Sequence, residues 1–218
     1  MQMPEPRDFG WDPKPLESAD TFVESLPNGQ MVLTIDHDRI AGVTTEMLVW
    51  WFQTFASLEV EAKGRRMPAY FVWHPRDHIG VEHRGGAPGG PVRPGEHLRI
   101  HEAFDRRAEF ELDAVAEVTQ LDATGIGLRV SLLGRPLMDL VHRFQDVEGG
   151  VLYRSRMVLG HDGGLLRYVV NRLVLPRRFN REKAEAWLRH NVEEVGFFER
   201  FLPELYAKRA DAPLIRMG

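Results

Sequence analysis

The sequence predicts an α+β fold in which a curved antiparallel sheet wraps around one long C-terminal helix, and three patterns carry that expectation. From His97 to Leu159 the dominant period is two, the alternation of strands that bury one face. Connections within that stretch are short, Glu148-Gly149-Gly150 among them, and strands joined by tight turns run antiparallel. Beyond Pro176 the period becomes helical, with Asn180 placed to cap a helix that runs to about Tyr206. A sheet curved around that helix satisfies the order and encloses a cavity between the two.

The elements follow in order. Residues 1–28 carry many Pro, Asp and Glu with little periodicity, and are expected to form an N-terminal arm on a body of residues 29–218. Met31 to Ile35 alternates as a short strand. A helix is expected from about Thr45: Thr44 can cap it, Glu46 suits its positive end, and Met47, Leu48, Trp51, Phe52 and Phe55 form an apolar stripe. The Gly/Pro-rich stretch from Arg84 to Gly95 has no period and reads as a loop, either a lid or a plain insertion. Leu98, Ile100, Glu102 and Phe104 share one face of the next strand. Phe110, Leu112, Ala114, Ala116 and Val118 share a face of another, which turns Glu109, Glu111 and Asp113 to water. Gly127 to Leu133, Leu137 to Phe144 and Val151 to Leu159 complete the meander. Leu165, Leu166, Val169, Val170 and Leu173 recur at helical spacing until Pro176 stops them.

The bulk composition excludes several classes. The 218 residues are 43% apolar, enough for a core, and their net charge of −4 mixes both signs. The pairs Arg65-Arg66, Arg106-Arg107 and Arg177-Arg178 read as solvated turns, so no basic stripe argues for nucleic acid. Without cysteine, disulfides and thiolate zinc sites are impossible, and a cytoplasmic address fits. Met1 to Pro15 lacks a signal peptide's apolar stretch, and no apolar run is long enough to span a membrane.

The final helix carries the sharpest chemical signal. His190 and Glu194 lie four apart on one face. On a wheel of roughly 100° per residue, Glu194 falls within the apolar face of Trp187, Phe198, Phe201, Leu202 and Leu205, beside Asn191, while Glu193 points to solvent. A carboxylate there needs a partner, a cation or a buried arginine, unless that edge of the helix is open to water. Glu102 repeats the anomaly on its strand, and a divalent ion between two inward carboxylates removes their repulsion. Trp73-His74-Pro75-Arg76-Asp77-His78 offers either histidine as a further ligand. Pro75 suggests a helix start with His78 in its first turn, and the spacing is not that of a metalloprotease HExxH. Mixed imidazole and carboxylate ligands suit zinc ahead of iron or manganese.

Two segments also resemble a family. Tyr70 to His78, and His190-Asn191-Val192-Glu193-Glu194 with Phe201-Leu202-Pro203-Glu204-Leu205-Tyr206, are similar to the hallmark segments of the 2,4-diacetylphloroglucinol and phloretin hydrolases. The resemblance runs from about Gln30 to Tyr206. It implies a helix-grip fold like that of the birch-pollen allergen and START proteins, and a zinc ion held by two histidines and two glutamates. It implies hydrolysis of the carbon–carbon bond between an acyl group and an electron-rich phenolic ring. Carried over by position, the ligands are His78 (the histidine eight residues after Tyr70), Glu102, His190 and Glu194. Tyr70 and Tyr153 become candidates for holding substrate hydroxyls, and His142 for lining the pocket. Val81 stands where the family carries a polar residue. The chain is shorter than the family at its amino end, where a dimer-forming region is expected, and a homodimer is the expected assembly. No G-x-S-x-G elbow offers a serine route. The competing readings are a non-catalytic carrier of small aromatic or apolar ligands, a cofactor-free polyketide cyclase or aromatase, and a protein with a structural zinc site.

Overall fold

Alternation along the chain becomes a strongly bent sheet in the computed structural model, which describes residues 5–164 and 166–218. Leu165 and the first four residues of the expected arm lie outside the described residues. The strands are β1 (Ala19–Ser25), β2 (Met31–His37), β3 (Ile40–Ala41), β4 (Glu59–Ala62), β5 (Arg65–Pro68) and β6 (His78–Arg84). They continue with β7 (His97–Ala103), β8 (Glu111–Asp122), β9 (Gly125–Leu132), β10 (Arg135–Val147), β11 (Gly150–Leu159) and β12 (Leu214–Arg216). Nine of them form one sheet in the order β1-β2-β11-β10-β9-β8-β7-β6, with β3 also pairing β11. Gly149, at a φ of 77°, makes the expected turn from β10 to β11. A smaller sheet, β12-β4-β5, has no counterpart in the sequence reading.

Helices fill the concave side. In α1 (Thr45–Thr54) the Thr44 hydroxyl accepts the Met47 amide as expected, and Leu48, Trp51 and Phe52 are buried. Full burial of such side chains stabilises by about 1.5–3 kcal/mol each. A single turn, α2 (Tyr70–Trp73), precedes β6. The terminal helix, α5 (Arg181–Ala207), is capped by Asn180 on the Lys183 amide. It separates two apolar clusters, one around Trp51, Phe198 and Phe201, the other around Leu33, Phe104 and Trp187. The architecture is the helix-grip fold that the sequence predicts.

Several local expectations are corrected. His78 does not sit in a helix begun by Pro75: it opens β6, because the turn after α2 runs straight into the sheet. Pro176 does not stop the helical stretch. Helical turns Leu166–Val169 (α3), Val170–Val174 and Leu175–Arg178 (α4) run past it, since proline is tolerated in the first turn of α4. Val169 and Leu173 of that stretch face outward, while Val170 and Leu175 are buried. Within the expected arm, residues 19–25 pair with β2 as the sheet's edge strand. The 84–95 loop is pinned by Val92, buried and bonded to the Gln53 carbonyl. None of its residues lines the cavity described below. Among the described residues no helix is long and apolar enough to cross a membrane.

Candidate metal centre and its cavity

Four side chains from three elements meet under the concave face. His78 and Glu102 are directly opposite partners on β6 and β7, which puts both side chains on the same face. A register shift between His78 and Gly80 re-aims the start of β6. His190 and Glu194 come from successive turns of α5. All four are buried, with exposures of 0% for His78, 8% for Glu102, 2% for His190 and 5% for Glu194. His78 Nε2 lies 3.4 Å from Glu102 and 3.5 Å from Glu194, and His190 Nε2 lies 3.7 Å from each.

Both histidines have their other ring nitrogen committed. His78 Nδ1 donates to the Tyr70 carbonyl at 2.8 Å, and His190 Nδ1 donates to Asp77 Oδ2 at 3.1 Å. Both Nε2 atoms are buried without a hydrogen-bond partner, a bare lone pair on the neutral His78, and each faces two carboxylates. Lone pairs against carboxylates repel unless a cation or a proton stands between them. Zinc with ligand distances of about 2.0–2.2 Å needs tetrahedral ligand atoms roughly 3.3–3.6 Å apart, close to the spacing observed. The donor set fits a divalent ion.

The charges of the site respond to this geometry. Burial works against a charged His190, yet the Asp77 hydrogen bond and the Glu102 and Glu194 carboxylates outweigh it and raise its pKa to about 9. Burial, opposed by His190 and reinforced by Glu102, lifts Glu194 above the usual carboxylate range. The raised values express the same crowding of carboxylates that a divalent ion would relieve. His78 is driven well below its ordinary value by burial and by His190, which keeps it neutral.

Supporting contacts surround the four. Asn191 Nδ2 donates to Glu194 Oε1 at 2.5 Å, and the Tyr70 hydroxyl donates to Glu102. The Tyr70 ring stacks on His78 at 3.8 Å between centroids. Asp77, His74 and His190 form a second cluster of possible ligands. Asp77 Oδ2 takes the His190 Nδ1 hydrogen and so orients His190, while Asp77 Oδ1 and His74 Nε2 are buried without a hydrogen-bond partner. His74 stacks on His190 and turns its Nε2 to Glu193, 3.2 Å away. Glu193 is buried by this contact, contrary to the expectation that it faces solvent.

The sites expected to hold substrate lie close by. A cavity of about 680 Å³ opens from the centre, lined by Tyr70, Glu102, His142, His190, Asn191 and Glu194. Apolar residues such as Leu98, Ile126, Leu140, Met157 and Trp187 form most of its remaining wall. Arg177, Arg178 and Lys183 also line it. Tyr153, unlike Tyr70 and His142, does not line this cavity: it is buried behind the wall with a hydroxyl that has no partner, its ring 5.3 Å from that of His142. Burial raises both tyrosine pKa values well above the ordinary one, with Glu102 adding to the rise at Tyr70 and Glu194 at Tyr153. Both hydroxyls stay protonated donors. Sequence reasoning missed Asp77 as the partner of His190, although its place beside His78 was visible. It also missed His37 and Ser155, polar residues at inward positions of β2 and β11.

Fold and site together define a helix-grip protein with a buried centre of two histidines and two glutamates at the edge of an apolar cavity. The chain belongs to the family described as DAPG hydrolase PhiG domain, which matches over residues 95–207. A phloretin hydrolase from Eubacterium ramulus is 24% identical over 197 residues, covering 78% of this chain. The chain spans 65% of the length of that relative. Among solved structures, the KanY protein (ms6282) shares the fold, with a TM-score of 0.50 over 78% of this chain and 94% of that one at 9% identity. A major latex-like protein of Panax ginseng aligns with a TM-score of 0.40 over 71% of this chain and 97% of that one, at 11% identity.

Proposed function

We propose that the protein is a zinc-dependent hydrolase that removes the acyl group from an electron-rich polyhydroxyphenol of the acylphloroglucinol kind. One observation carries the reading: two buried imidazole nitrogens without hydrogen-bond partners and two buried carboxylates converge at the edge of a cavity large enough for such a molecule. Membership of the DAPG hydrolase family supports the reaction class. His78, Glu102, His190 and Glu194 would hold the ion. Zinc bound there would supply Lewis acidity at the acyl carbonyl and lower the pKa of an attacking water.

The chain's own residues handle the ring. A polyhydroxyphenol takes up a proton on its acyl-bearing carbon as one ring hydroxyl loses its own, giving the keto tautomer. Water then adds its oxygen to the acyl carbon, and the bond to the ring breaks with its electron pair passing into the ring. The ring regains its phenol and the acyl group leaves as a carboxylic acid. The Tyr70 hydroxyl, whose hydrogen is held by Glu102, offers its lone pairs to a ring hydroxyl, Tyr153 next to the His142 ring keeps a protonated hydroxyl without a partner, and His142 supplies a neutral polar atom in the cavity wall. The apolar wall excludes bulk water around them.

A panel of acylphloroglucinols incubated with the purified protein before and after chelation tests the reading. Cleavage that needs zinc and returns on its re-addition is expected; cleavage untouched by complete metal removal overturns it. A non-catalytic carrier would instead bind the same molecules unchanged and keep its affinity in His190→Ala.

A further inference from the structure

The stretch between the meander and the terminal helix carries apolar side chains on both of its sides. Leu166–Arg178 runs as three linked helical turns whose inner side is already satisfied. Val170 and Leu175 are buried there, and buried Asn171 accepts the His161 amide at 2.8 Å and donates to the Asn28 and His161 carbonyls at 3.0 and 2.8 Å. The segment is docked. Yet Tyr168, Val169, Leu173 and Val174 face outward, between 40% and 53% exposed.

A second protrusion adjoins it. The turn from β9 to β10 lifts Leu133 to 77% exposure at a φ of 53°, in the left-handed region that a leucine enters at a cost, with Leu132 exposed beside it. Arg135 lays its guanidinium against Gly164, and the Pro136 carbonyl accepts the His161 Nδ1 hydrogen at 2.7 Å, so turn and helical segment are neighbours. Six of the nine large apolar side chains that are exposed among the described residues lie on these two elements. A patch that neither core nor backbone asks for needs an outside partner.

Charge selects that partner. Arg135, Arg167, Arg172, Arg177 and Arg178 are interleaved with the exposed apolar side chains, and residues 163–178 hold no Asp or Glu in a chain of net charge −4. Among the described residues none of these five forms an ion pair, whereas Arg99, Arg129 and Arg189 each do. A second copy docking through a two-fold axis would set the five against their own equivalents. Cations alternating with outward apolar groups match a bilayer surface, where apolar side chains enter the headgroup boundary and guanidinium groups reach lipid phosphates on long stems.

We infer that this face docks on a membrane surface rich in anionic lipid, with Leu133, Tyr168, Val169, Leu173 and Val174 at the headgroup–acyl boundary and the five arginines among the phosphates. Leu137 and Met138 after the turn, and Leu175 and Phe179 at the end of the helical segment, line the cavity. The docked face therefore lies beside the cavity that a lipophilic phenol must enter. That placement matters to catalysis only under the function proposed above; the docking stands without it.

Sedimentation of the full chain with lipid vesicles tests the inference. With vesicles of phosphatidylcholine and phosphatidylglycerol the protein is expected to pellet, less so as salt rises, and with phosphatidylcholine alone to stay in solution. Val169→Ser combined with Leu173→Ser should lower the partition coefficient about tenfold, and Arg172→Gln with Arg178→Gln should weaken the preference for the anionic vesicles. Val115→Ser with Leu152→Ser, exposed apolar side chains elsewhere on the sheet, should change nothing. Circular dichroism checks that each variant is folded. Wild-type protein that stays in solution with both vesicles, or a folded Val169 and Leu173 double variant that binds as tightly, overturns the inference. A dimer that comes apart in that double variant, without vesicle binding, overturns it too and puts a second copy on the face. Vesicle binding by a protein that cleaves no acylphenol leaves the docking in place and removes the hydrolase reading.

Discussion

The cavity joins two polar clusters that look alike in composition and differ in kind. The centre of His78, Glu102, His190 and Glu194 and the network of His37, Ser155 and His142 are each built on a pair of histidines inside an apolar shell. In the network every shared atom finds a hydrogen bond, and burial drives both histidines down to pKa values of about 3. In the centre two ring nitrogens have no partner and two carboxylates crowd them, so His190 is pushed up to about 9. Burial of histidine is therefore a poor sign of a metal site. Orphaned acceptors that converge are a good one, because only a cation or protons can satisfy them.

The largest break in this contrast comes from removing a ligand. His190→Ala and Glu102→Gln should each lose bound zinc and lower kcat/KM by on the order of 10³, the several kcal/mol that a Lewis acid supplies. Metal content by mass spectrometry and rates on an acylphloroglucinol check both. Full zinc occupancy in Glu102→Gln would contradict the four-ligand centre.

A smaller loss is expected from the residue that holds His190 in place. Asp77→Asn keeps the size of the side chain but offers an amide where a carboxylate accepted the Nδ1 hydrogen. Loss of such an orienting carboxylate typically costs 10–100-fold in metal affinity or activity. Competition against a chelator of known affinity measures it, and an unchanged zinc affinity would remove Asp77 from the site.

What could be read from the chain divides along the same line. Glu102 and Glu194 were legible because each breaks an apolar period, on a strand and on a helix, and a buried charge in such a pattern needs a reason. The meander and the terminal helix were legible for the same cause, since alternation and helical spacing report burial directly. His78 could be chosen over His74 only by resemblance to a family. Their separation is decided by where α2 ends and β6 begins, and by a register shift that leaves no mark in composition. The smaller sheet was hidden because its strands are three or four residues long and the third lies about 150 residues beyond the first two. Glu193 was misjudged because the helical wheel knows one helix only, and the His74 segment covers that side.

The charge difference between the clusters predicts a pH signature. Without a cation, His190 holds its proton up to about pH 9, and Glu194 holds its own above the ordinary carboxylate range. Zinc must displace them, so its affinity should rise with pH up to about 9, by about tenfold per unit for each proton released. The sign is fixed by the raised pKa values: acid weakens binding. Calorimetric titrations of the metal-free protein at pH 7, in buffers of different ionisation enthalpy, count the protons. A count of zero would mean that the carboxylates and His190 are already deprotonated together.

The finest test uses two neighbouring glutamates. Glu194 faces the orphaned nitrogens, whereas Glu193, one residue earlier and also buried, faces His74 at 3.2 Å. If His74 and Asp77 only orient His190, Glu193→Gln leaves every atom of the centre in place. Glutamine still offers an oxygen to a neutral His74, and burial together with His190 keeps His74 below its ordinary pKa. The expected change in kcat/KM is therefore less than about threefold, under about 1 kcal/mol, with zinc content unaltered. Glu194→Gln in the same assay should behave like Glu102→Gln. Matching losses in the two variants would show that the His74, Asp77 and Glu193 side binds the ion as well, and the boundary of the centre drawn at His190 would have to move outward.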